Sequence, residues 1–385
     1  MIFSSLAVAM DSSIGATNST YSFAPMASGG STATGNVYIY ANGTVSNSSA
    51  VHEVGASNTY DLLVNIDGSL IVQRNNTIVD GNGLMLTGGS SSSSRGAFVS
   101  FNTSGITLEN AVLGPTSYYG IMIGNVASAT VDNVTSTNFS GDALMEFYYS
   151  GNITVSGGNF SFSSAYYGIY AEYDSSVNVS HNALSGSLID YFIEAGTVSQ
   201  FSAWNNTIMS ASSTPDGIYF YVGNAVIANN IVNSTDKAIY VDGGLAVKTM
   251  NNRVSNSTYG FDIEYVTSYF SYGDSIQVTS YPVYFVYDGN ATVQKGNFSN
   301  YTDYAYLEYN YQVSFIDSTF SSSDYGLYIE ENGILNLSGD QFNMGGSSSV
   351  YAIYGYYSSG KLIMSNDYIY APNGTALLFE GGRRN

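Results

Sequence analysis

The sequence contains no cysteine, only 5 prolines and few charged side chains, with 9 Lys and Arg against 29 Asp and Glu in 385 residues. The absence of cysteine excludes disulfide frameworks, thiolate metal sites and cysteine nucleophiles. The formal net charge of −20 disfavours binding to the phosphate backbone of a nucleic acid. No run of 18 apolar residues is present, so we expect no membrane-spanning helix. The chain is instead rich in glycine (41) and tyrosine (36), an aromatic content that argues against disorder.

A short motif recurs along the chain at intervals of about 23 residues. Each copy pairs a small or aromatic residue with an aliphatic one, inside segments that alternate with a period of two, such as 168–173 (GIYAEY). This alternation of β-branched and aromatic residues predicts short strands. The twelve copies, called anchors below, are Gly120-Ile121, Ala143-Leu144, Gly168-Ile169, Phe192-Ile193, Gly217-Ile218, Ala238-Ile239, Phe261, Val283, Ala305, Gly326-Leu327, Ala352-Ile353 and Ala376-Leu377.

Octets of common pattern follow many anchors, for example 177–184 (VNVSHNAL) and 225–232 (AVIANNIV). Their eighth residue is apolar, as expected for a return to the core. Asn, Asp and Gly suit a tight bend between strands, and stacked Asn side chains can hydrogen-bond to the coils above and below. A parallel β-solenoid with coils about 4.8 Å apart satisfies the whole pattern. The sixth residues of the octets are Asn182, Asn206, Asn230, Asn252, Asp274, Asp340 and Asp367, with Gly158, Gly296 and Ser318 in looser copies.

These coils resemble the right-handed parallel β-helix of pectin-lyase-like proteins. The stretch 70–83 (LIVQRNNTIVDGNG) is similar to the family's entry coil. The resemblance implies an all-β, right-handed parallel β-helix over residues 60–385, with residues 1–59 as an N-terminal cap or arm that serves in assembly. The serine run Ser90–Ser94 is interpreted as a loop that protrudes from one coil. The family includes lyases, hydrolases, phage tailspikes and non-catalytic surface proteins, so the resemblance does not define an activity.

Asparagines followed by any residue and then Ser or Thr are about twice as frequent as composition predicts. This excess, together with the scarcity of lysine, favours an N-glycosylated, extracellular or cell-surface protein. The Asn residues at the sixth octet position are not in such sequons, whereas their sequence neighbours often are. The predicted glycosylation sites are Asn18, Asn42, Asn47, Asn75, Asn102, Asn133, Asn138, Asn152, Asn159, Asn178, Asn205, Asn233, Asn256, Asn290, Asn297, Asn300, Asn336 and Asn373.

The sequence does not establish an enzyme and leans against one. In the family that this chain resembles, enzymes acting on acidic polysaccharides use calcium-binding Asp clusters with a basic residue, or several Asp with His and Arg-x-Lys. No Arg-x-Lys is present here, and the histidines are His52 and His181, of which His181 is interpreted as a solvated turn residue. Motifs of Ser hydrolases, phosphate-binding loops and EF-hands are also absent.

Acids and tyrosines recur just after the anchors and are expected to form a vertical stripe on the solenoid. Stacked carboxylates repel one another unless a cation or a raised pKa relieves the repulsion. Three interpretations remain open: a calcium site, a carbohydrate groove that could also be hydrolytic, and a solvated wall suited to acidic surroundings. No cofactor is required, and calcium is the one cofactor that the first interpretation allows. The candidate cation ligands are Glu172, Glu194, Asp242 and Glu264, and the candidate carbohydrate platform is Tyr170, Tyr219, Tyr221 and Tyr240.

The favoured function is structural: subunits that form surface fibres, an adhesive layer or a coat. No cover is recognisable after the last anchor, at 376–380 (ALLFE), and an uncovered solenoid end exposes strand edges. We therefore expect either a longer natural protein or self-association, by a head-to-tail filament or a homotrimer. The alternatives are a polysaccharide-binding or glycoside-cleaving protein of the same fold, and a viral or surface receptor-binding spike.

Overall fold

The computed structural model describes residues 31–88, 96–115, 118–322, 325–345, 350–356 and 360–380. Regular structure in these residues consists of 39 β-strands that form one continuous sheet. No helix in the described part of the chain is long and apolar enough to cross a membrane. The predicted loop Ser90–Ser94 and the sequon at Asn18 lie outside the described residues.

Most strands are short and end at a corner of the coil, whereas a few long strands continue around a corner without interruption. In chain order the first twenty are β1 (Thr32–Thr34), β2 (Val37–Ile39), β3 (Val51–Glu53), β4 (Thr59–Leu62), β5 (Asn65–Asp67), β6 (Leu70–Val72), β7 (Thr77–Asp80), β8 (Met85–Leu86), β9 (Gly96–Phe101), β10 (Ile106–Glu109), β11 (Val112–Leu113), β12 (Tyr119–Gly124), β13 (Ser128–Asp132), β14 (Thr135–Phe139), β15 (Ala143–Tyr148), β16 (Asn152–Ser156), β17 (Asn159–Glu172), β18 (Ser176–Ser180), β19 (Ala183–Ala195) and β20 (Gln200–Trp204). The remainder are β21 (Thr207–Ser210), β22 (Asp216–Tyr221), β23 (Asn224–Ala228), β24 (Ile231–Asn233), β25 (Lys237–Met250), β26 (Arg253–Tyr272), β27 (Ser275–Val286), β28 (Asn290–Gln294), β29 (Asn297–Tyr301), β30 (Ala305–Glu308), β31 (Gln312–Ile316), β32 (Thr319–Ser322), β33 (Tyr325–Glu330), β34 (Ile334–Ser338), β35 (Gln341–Met344), β36 (Tyr351–Tyr356), β37 (Lys361–Ser365), β38 (Tyr368–Tyr370) and β39 (Thr375–Glu380).

Apart from β3, the described strands pair in parallel with strands of the neighbouring coils, which is the arrangement of a β-solenoid. Ile121 is in register with Met145, a step of 24 residues, and Tyr306 is in register with Tyr328, a step of 22. A coil crosses three faces, here called A, B and C, represented by β22, β23 and β24. All twelve anchors lie in strands of face A, so the predicted repeat and fold class are confirmed.

Alternate residues of every strand point into one long apolar core. The aliphatic anchor residues Ile121, Ile169 and Ile218 are fully buried on face A. On face C, Phe298, Phe320 and Phe342 stack in successive coils with ring centroids 4.9 Å apart at each step. Because this spacing equals the separation of neighbouring strands, the same side chain can repeat in one place along the rod without a packing defect.

The predicted asparagine ladder lies inside the corner between faces B and C. The backbone N–H of Asn182 donates to Oδ1 of Asn206 at 3.1 Å, and that of Asn206 donates to Oδ1 of Asn230 at 3.0 Å. The amide group of Asn206 also donates to the carbonyl of Val179 at 2.9 Å. The contacts continue to Asn252 and Asp274 in the same manner. Every rung is fully buried, so the ladder satisfies backbone groups that water cannot reach.

The left-handed residue of this corner is the fifth of the octet, not the sixth to which the sequence pattern assigned it. His181, Asn205 and Asn229 have φ values of 58°, 55° and 55°. They are exposed, whereas the sixth residues are buried. His181 is therefore a solvated turn residue, as predicted. The two roles are divided because the bend needs a left-handed backbone at one residue and an inward side chain at the next.

A second ladder, which the sequence pattern did not reveal, occupies the corner between faces A and B. The backbone N–H of Val266 donates to Oδ1 of Asp288 at 2.7 Å, and that of Asp288 donates to Oδ1 of Asn310 at 2.9 Å. The backbone N–H of Asn310 donates in turn to Oδ1 of Asn332, one coil later, at 2.9 Å. The regular steps of 22 residues between these positions are the signal that could have identified this ladder.

The regular coils extend closer to the N-terminus than the predicted boundary at residue 60. Strands β1 and β2 pair in parallel with β5 and β6, so residues 32–39 already belong to the solenoid. The irregular feature in this region is an antiparallel pair of β3 and β4, beside which Arg74 contacts Glu53 at 2.8 Å. Residues 1–30 lie outside the described part of the chain.

Candidate functional site

The outward side chains of face A form a tyrosine- and carboxylate-rich surface along the rod. Two residues per coil contribute, because residues two apart on a strand point to the same side. The first column consists of residues in mutual register: Met122, Glu146, Tyr170, Glu194, Tyr219, Tyr240, Asp262, Tyr284, Tyr306, Tyr328 and Tyr354.

The second column lies two residues further along each strand. It is more acidic than the first column and lies nearer to the corner with face B. Its members in mutual register are Tyr221, Asp242, Glu264, Val286, Glu308, Glu330, Tyr356 and Glu380, with Tyr148 and Glu172 paired in earlier coils.

The four predicted cation ligands are divided between these columns. Glu194 belongs to the first column, whereas Glu172, Asp242 and Glu264 belong to the second, and only Asp242 and Glu264 are in register on neighbouring coils. The single acidic stripe expected from the sequence is thus two columns. Within the described residues, no group of three or more His, Cys, Asp or Glu side chains is arranged to hold a metal ion. These carboxylates do not form one ligand set.

Three of the four predicted platform tyrosines share the first column. Tyr219 and Tyr240 stack at 4.9 Å, and Tyr191 extends the stack with a centroid 4.8 Å from that of Tyr219. Tyr170 is in register with Glu194, which separates it from Tyr219. Tyr221 lies in the second column, in register with Asp242. The result is a half-exposed row of rings bordered by carboxylates.

Lys237 is the cation of this surface, a role that the sequence did not indicate. Its Nζ lies 2.6 Å from Oδ2 of Asp262 and 3.5 Å from the ring centroid of Tyr240. Its backbone N–H donates to Oδ1 of Asp216 at 2.9 Å. A desolvated ammonium over a ring face is held both by the ring quadrupole and by the carboxylate.

Burial raises the pKa of several carboxyl groups on this surface. Desolvation, followed by repulsion from Glu172 and Asp190, raises the pKa of Glu194 to about 7. Desolvation and the neighbouring Asp262 raise the pKa of Glu264 to about 7, against the opposing effect of Lys237. These groups exchange protons near neutrality and can donate or accept hydrogen bonds below it.

Tyrosine hydroxyls donate hydrogen bonds to other carboxylates on this surface. The hydroxyl of Tyr170 donates to Glu172 at 2.6 Å, and that of Tyr306 donates to Glu308 at 2.8 Å. Chemically, the surface can hold apolar ring faces of a ligand on tyrosine and polar groups on the adjacent acids. The arrangement suits an elongated ligand better than a compact one, because it repeats at every coil.

A further column of tyrosines, missed from the sequence, occupies left-handed positions beside the second column. Tyr265, Tyr287 and Tyr309 stack at 5.2 and 5.0 Å with nearly parallel rings. Their φ values are 56°, 59° and 54°, a conformation uncommon for aromatic residues. Their even spacing of 22 residues carries the signal, but composition alone gives no reason to place tyrosine at such a bend.

Comparison with known proteins agrees with this architecture. The family model described as a right-handed beta helix region matches residues 95–256. The chain is a right-handed parallel β-helix. No curated protein matches the sequence.

Two solved structures with low sequence identity are similar to the chain. The Streptococcus pneumoniae surface protein and adhesin PfbA is 12% identical with a TM-score of 0.44, over 83% of this chain and 89% of that one. The catalytic domain of a GH87 alpha-1,3-glucanase, in complex with tetrasaccharides, is 12% identical with a TM-score of 0.37, over 88% and 69%. At these similarities neither defines the function of the β-helix described here.

Proposed function

We propose that this β-helix is an extracellular or cell-surface structural protein, N-glycosylated along its length, whose subunits associate into fibres, an adhesive layer or a coat. The observation that carries the proposal is the sorting of asparagines by burial. The six buried asparagines are all ladder residues outside sequons: Asn182, Asn206, Asn230, Asn252, Asn310 and Asn332.

None of the predicted glycosylation sites in the described residues is buried. Several of them, including Asn102, Asn205 and Asn256, are exposed residues with a left-handed backbone, at the outer edge of a corner. A glycan at such a place projects into solvent without disturbing the coil. Selection for glycan acceptors explains this sorting and also the scarcity of surface charge, because glycans supply the solubility that charges otherwise provide.

The glycosylation proposal is tested by glycopeptide mass spectrometry on protein isolated from its native source. We expect occupied sites at exposed asparagines such as Asn205 and Asn256, and none at Asn206 or Asn252. A native protein without any N-glycan would overturn this part of the proposal, and secretion from a heterologous host would not rescue it.

The self-association part of this proposal places a second copy of the chain against the last described coil. Leu377 is 42% exposed, whereas Ile353, its register partner one coil earlier, is fully buried. Phe379, Tyr368 and Tyr370 are 49%, 58% and 51% exposed. A second copy that packs here would pair its strands with β37, β38 and β39 and cover these side chains.

Sedimentation velocity over a range of concentrations tests this association. We expect the natural sequence to form growing species, and the variant Leu377→Glu/Phe379→Glu to remain monomeric. Tyr311→Glu, at a residue 68% exposed away from this coil, is the matched control and should associate normally. A discrete trimer would replace the filament by lateral association, and a monomer at every concentration would overturn both.

A second candidate function, polysaccharide binding, is favoured by the row formed by Tyr191, Tyr219 and Tyr240. Ring stacks of this kind bind sugar faces, and Glu194 and Asp216 lie close enough to influence the pKa of Tyr191. Binding and turnover on a glycan panel test it. Loss of binding in Tyr219→Ala/Tyr240→Ala would support a carbohydrate site, and turnover that Glu172→Gln/Asp242→Asn abolishes would make the protein an enzyme. No interaction with any glycan would remove this candidate.

A further inference from the structure

A small cavity on face A, several coils beyond Lys237, is enclosed by aromatic rings. Its volume is about 180 Å³, and buried Leu327 contributes to its lining. The other lining residues are all tyrosines: Tyr304, Tyr325, Tyr328, Tyr351 and Tyr354.

The rings of this tyrosine cage face the cavity from different directions. Tyr304 stacks on Tyr328 at 4.8 Å and meets Tyr325 at 6.0 Å with an interplanar angle of 75°. Tyr351 and Tyr354 close the opposite side, 5.5 Å apart and tilted by 36°. A flat row of rings suits a sugar face, but converging rings surround a compact group on several sides.

The charge around the tyrosine cage is negative. The hydroxyls of Tyr328 and Tyr354 donate to Glu330 at 3.3 Å and to Glu380 at 3.1 Å. A phenol that donates a hydrogen bond to a carboxylate presents a more electron-rich ring face, which strengthens its attraction for a cation. The ion pairs within the described residues involve Arg74 and Lys237, so no lysine or arginine there neutralises Glu330.

The protein itself shows how this surface holds a cation. In the coil of Lys237, the ammonium lies 3.5 Å from the ring centroid of Tyr240 and 6.0 Å from that of Tyr259, and Asp262 neutralises it. Lys237 precedes Tyr240 by three residues, and Tyr325 precedes Tyr328 by the same three residues, while Tyr240 and Tyr328 share the first column. The tyrosine cage thus has a ring where the earlier coil has a lysine, so this position supplies no cation to the cage.

We propose that the tyrosine cage binds the alkylammonium group of an external ligand. The rings contact the alkyl substituents and the charged centre, and Glu330 supplies the opposite charge. Two sources share this chemistry: a quaternary ammonium, as in choline-type headgroups, and a protonated primary amine, as in a lysine side chain. The site is distinct from the row of Tyr191, Tyr219 and Tyr240, and it does not depend on the structural function proposed above.

Isothermal titration with choline and with its neutral isostere 3,3-dimethyl-1-butanol tests the proposal. The two probes have the same shape and differ in charge, so we expect choline to bind about tenfold more tightly. Equal binding of both probes, or no saturable choline binding up to about 100 mM, would contradict the proposal. Parallel titration with n-butylammonium determines whether a primary amine is also accepted; weaker binding than choline assigns the site to quaternary ammonium groups.

Variants of the cage distinguish choline binding at this site from nonspecific attraction of a cation to an acidic protein. Tyr351→Leu and Glu330→Gln should each weaken choline binding at least about tenfold. Tyr311→Leu, which changes an exposed tyrosine outside the cage, is the matched control and should bind like the natural sequence. Circular dichroism and the melting temperature verify folding of each variant. Equal losses in the cage variants and in Tyr311→Leu would overturn the assignment.

Discussion

In four successive coils, a buried asparagine at one corner satisfies backbone groups of the preceding coil, and its own backbone N–H is satisfied by the ladder residue of the next coil. Asn206 accepts from the backbone N–H of Asn182 and donates to the carbonyl of Val179, while its own N–H donates to Asn230. The asparagine side chain carries both a donor and an acceptor without needing a proton from solution. The ladder is therefore a requirement of the corner and not a consequence of an asparagine-rich composition.

Replacing one rung tests this requirement. Asn206→Ala leaves the N–H of Asn182 and the carbonyl of Val179 buried without partners, so we expect the free energy of unfolding to fall by about 3 kcal/mol. Asn229→Gly changes the exposed left-handed residue beside the next rung and should cost less than about 1 kcal/mol, because glycine accepts this backbone. Urea titrations measure both. Similar losses in the two variants would show that the ladder contacts contribute little.

Asp288 occupies a ladder position where its neighbours are neutral. One of its oxygens, Oδ2, is buried without a partner, whereas the amide of Asn310 in the same corner one coil later donates to the carbonyl of Phe285 at 2.9 Å. Burial, with Glu264 and Asp262 nearby, raises the pKa of Asp288 well above its usual value. The folded protein holds this proton more tightly than the unfolded chain does. The stability that Asp288 contributes is complete at acidic pH and is lost as the pH rises through its folded pKa.

Asp288→Asn supplies a permanent donor in place of that proton. We expect the variant to be more stable than the natural sequence at pH 7, by at least about 2 kcal/mol, and nearly equal to it at pH 4. Asp61→Asn, in strand β4, serves as the matched control for the exchange of Asp for Asn. Thermal melts of the natural sequence and of both variants at pH 4 and pH 7 measure these differences in stability. A variant that is less stable at pH 7 would show that Asp288 is not a protonated rung.

At the scale of the strand, face A combines a conventional core side with an unusual outer side. The inward anchors pack like those of any parallel sheet, whereas the outward residues place carboxyl groups between tyrosine rings. Desolvation is the largest cause of the raised pKa of Asp216, to about 6, and of Glu194 and Glu264, to about 7. Because these strands bury groups that prefer to be protonated, we expect the sheet to be more stable in acidic surroundings.

The melting temperature should consequently be higher at pH 4 to 5 than at pH 7. The raised folded pKa values mean that the folded state binds more protons than the unfolded state between about pH 4 and pH 7, so stability decreases across this window. Calorimetry in matched ionic strength measures the effect. A higher melting temperature at neutral pH would contradict both the pKa directions and the proposed acidic environment.

The sequence predicted the strands correctly but did not predict how their outward side chains divide into two columns. Alternation and spacing identified every anchor, because both follow from the local geometry of a strand. Glu194 and Glu264 were assigned to one stripe because residues two apart on a strand share an outward face. Only the register between coils separates the columns, and it depends on corners whose lengths vary. The second ladder has a regular spacing, but its residues Asp288, Asn310 and Asn332 lie outside the octets from which the first ladder was predicted.

At the scale of the whole molecule, the chain is a rod in which different corners and faces have different roles. The asparagines proposed as glycan acceptors lie outside the core, the ladders occupy the interior of corners, and many acidic groups lie on face A. The sequons and the octet pattern predicted which asparagines are exposed and which are buried, because an asparagine buried in a ladder cannot carry a glycan. Composition could not predict the tyrosine cage, which combines rings of the first column with rings two or three residues earlier, from successive coils.

Electron microscopy of protein isolated from its native source tests the central claim most directly. A single chain with coils about 4.8 Å apart forms a rod of roughly 65 Å. The account predicts rods joined into longer fibres or a continuous layer. A uniform population of separate single rods at high protein concentration would contradict it.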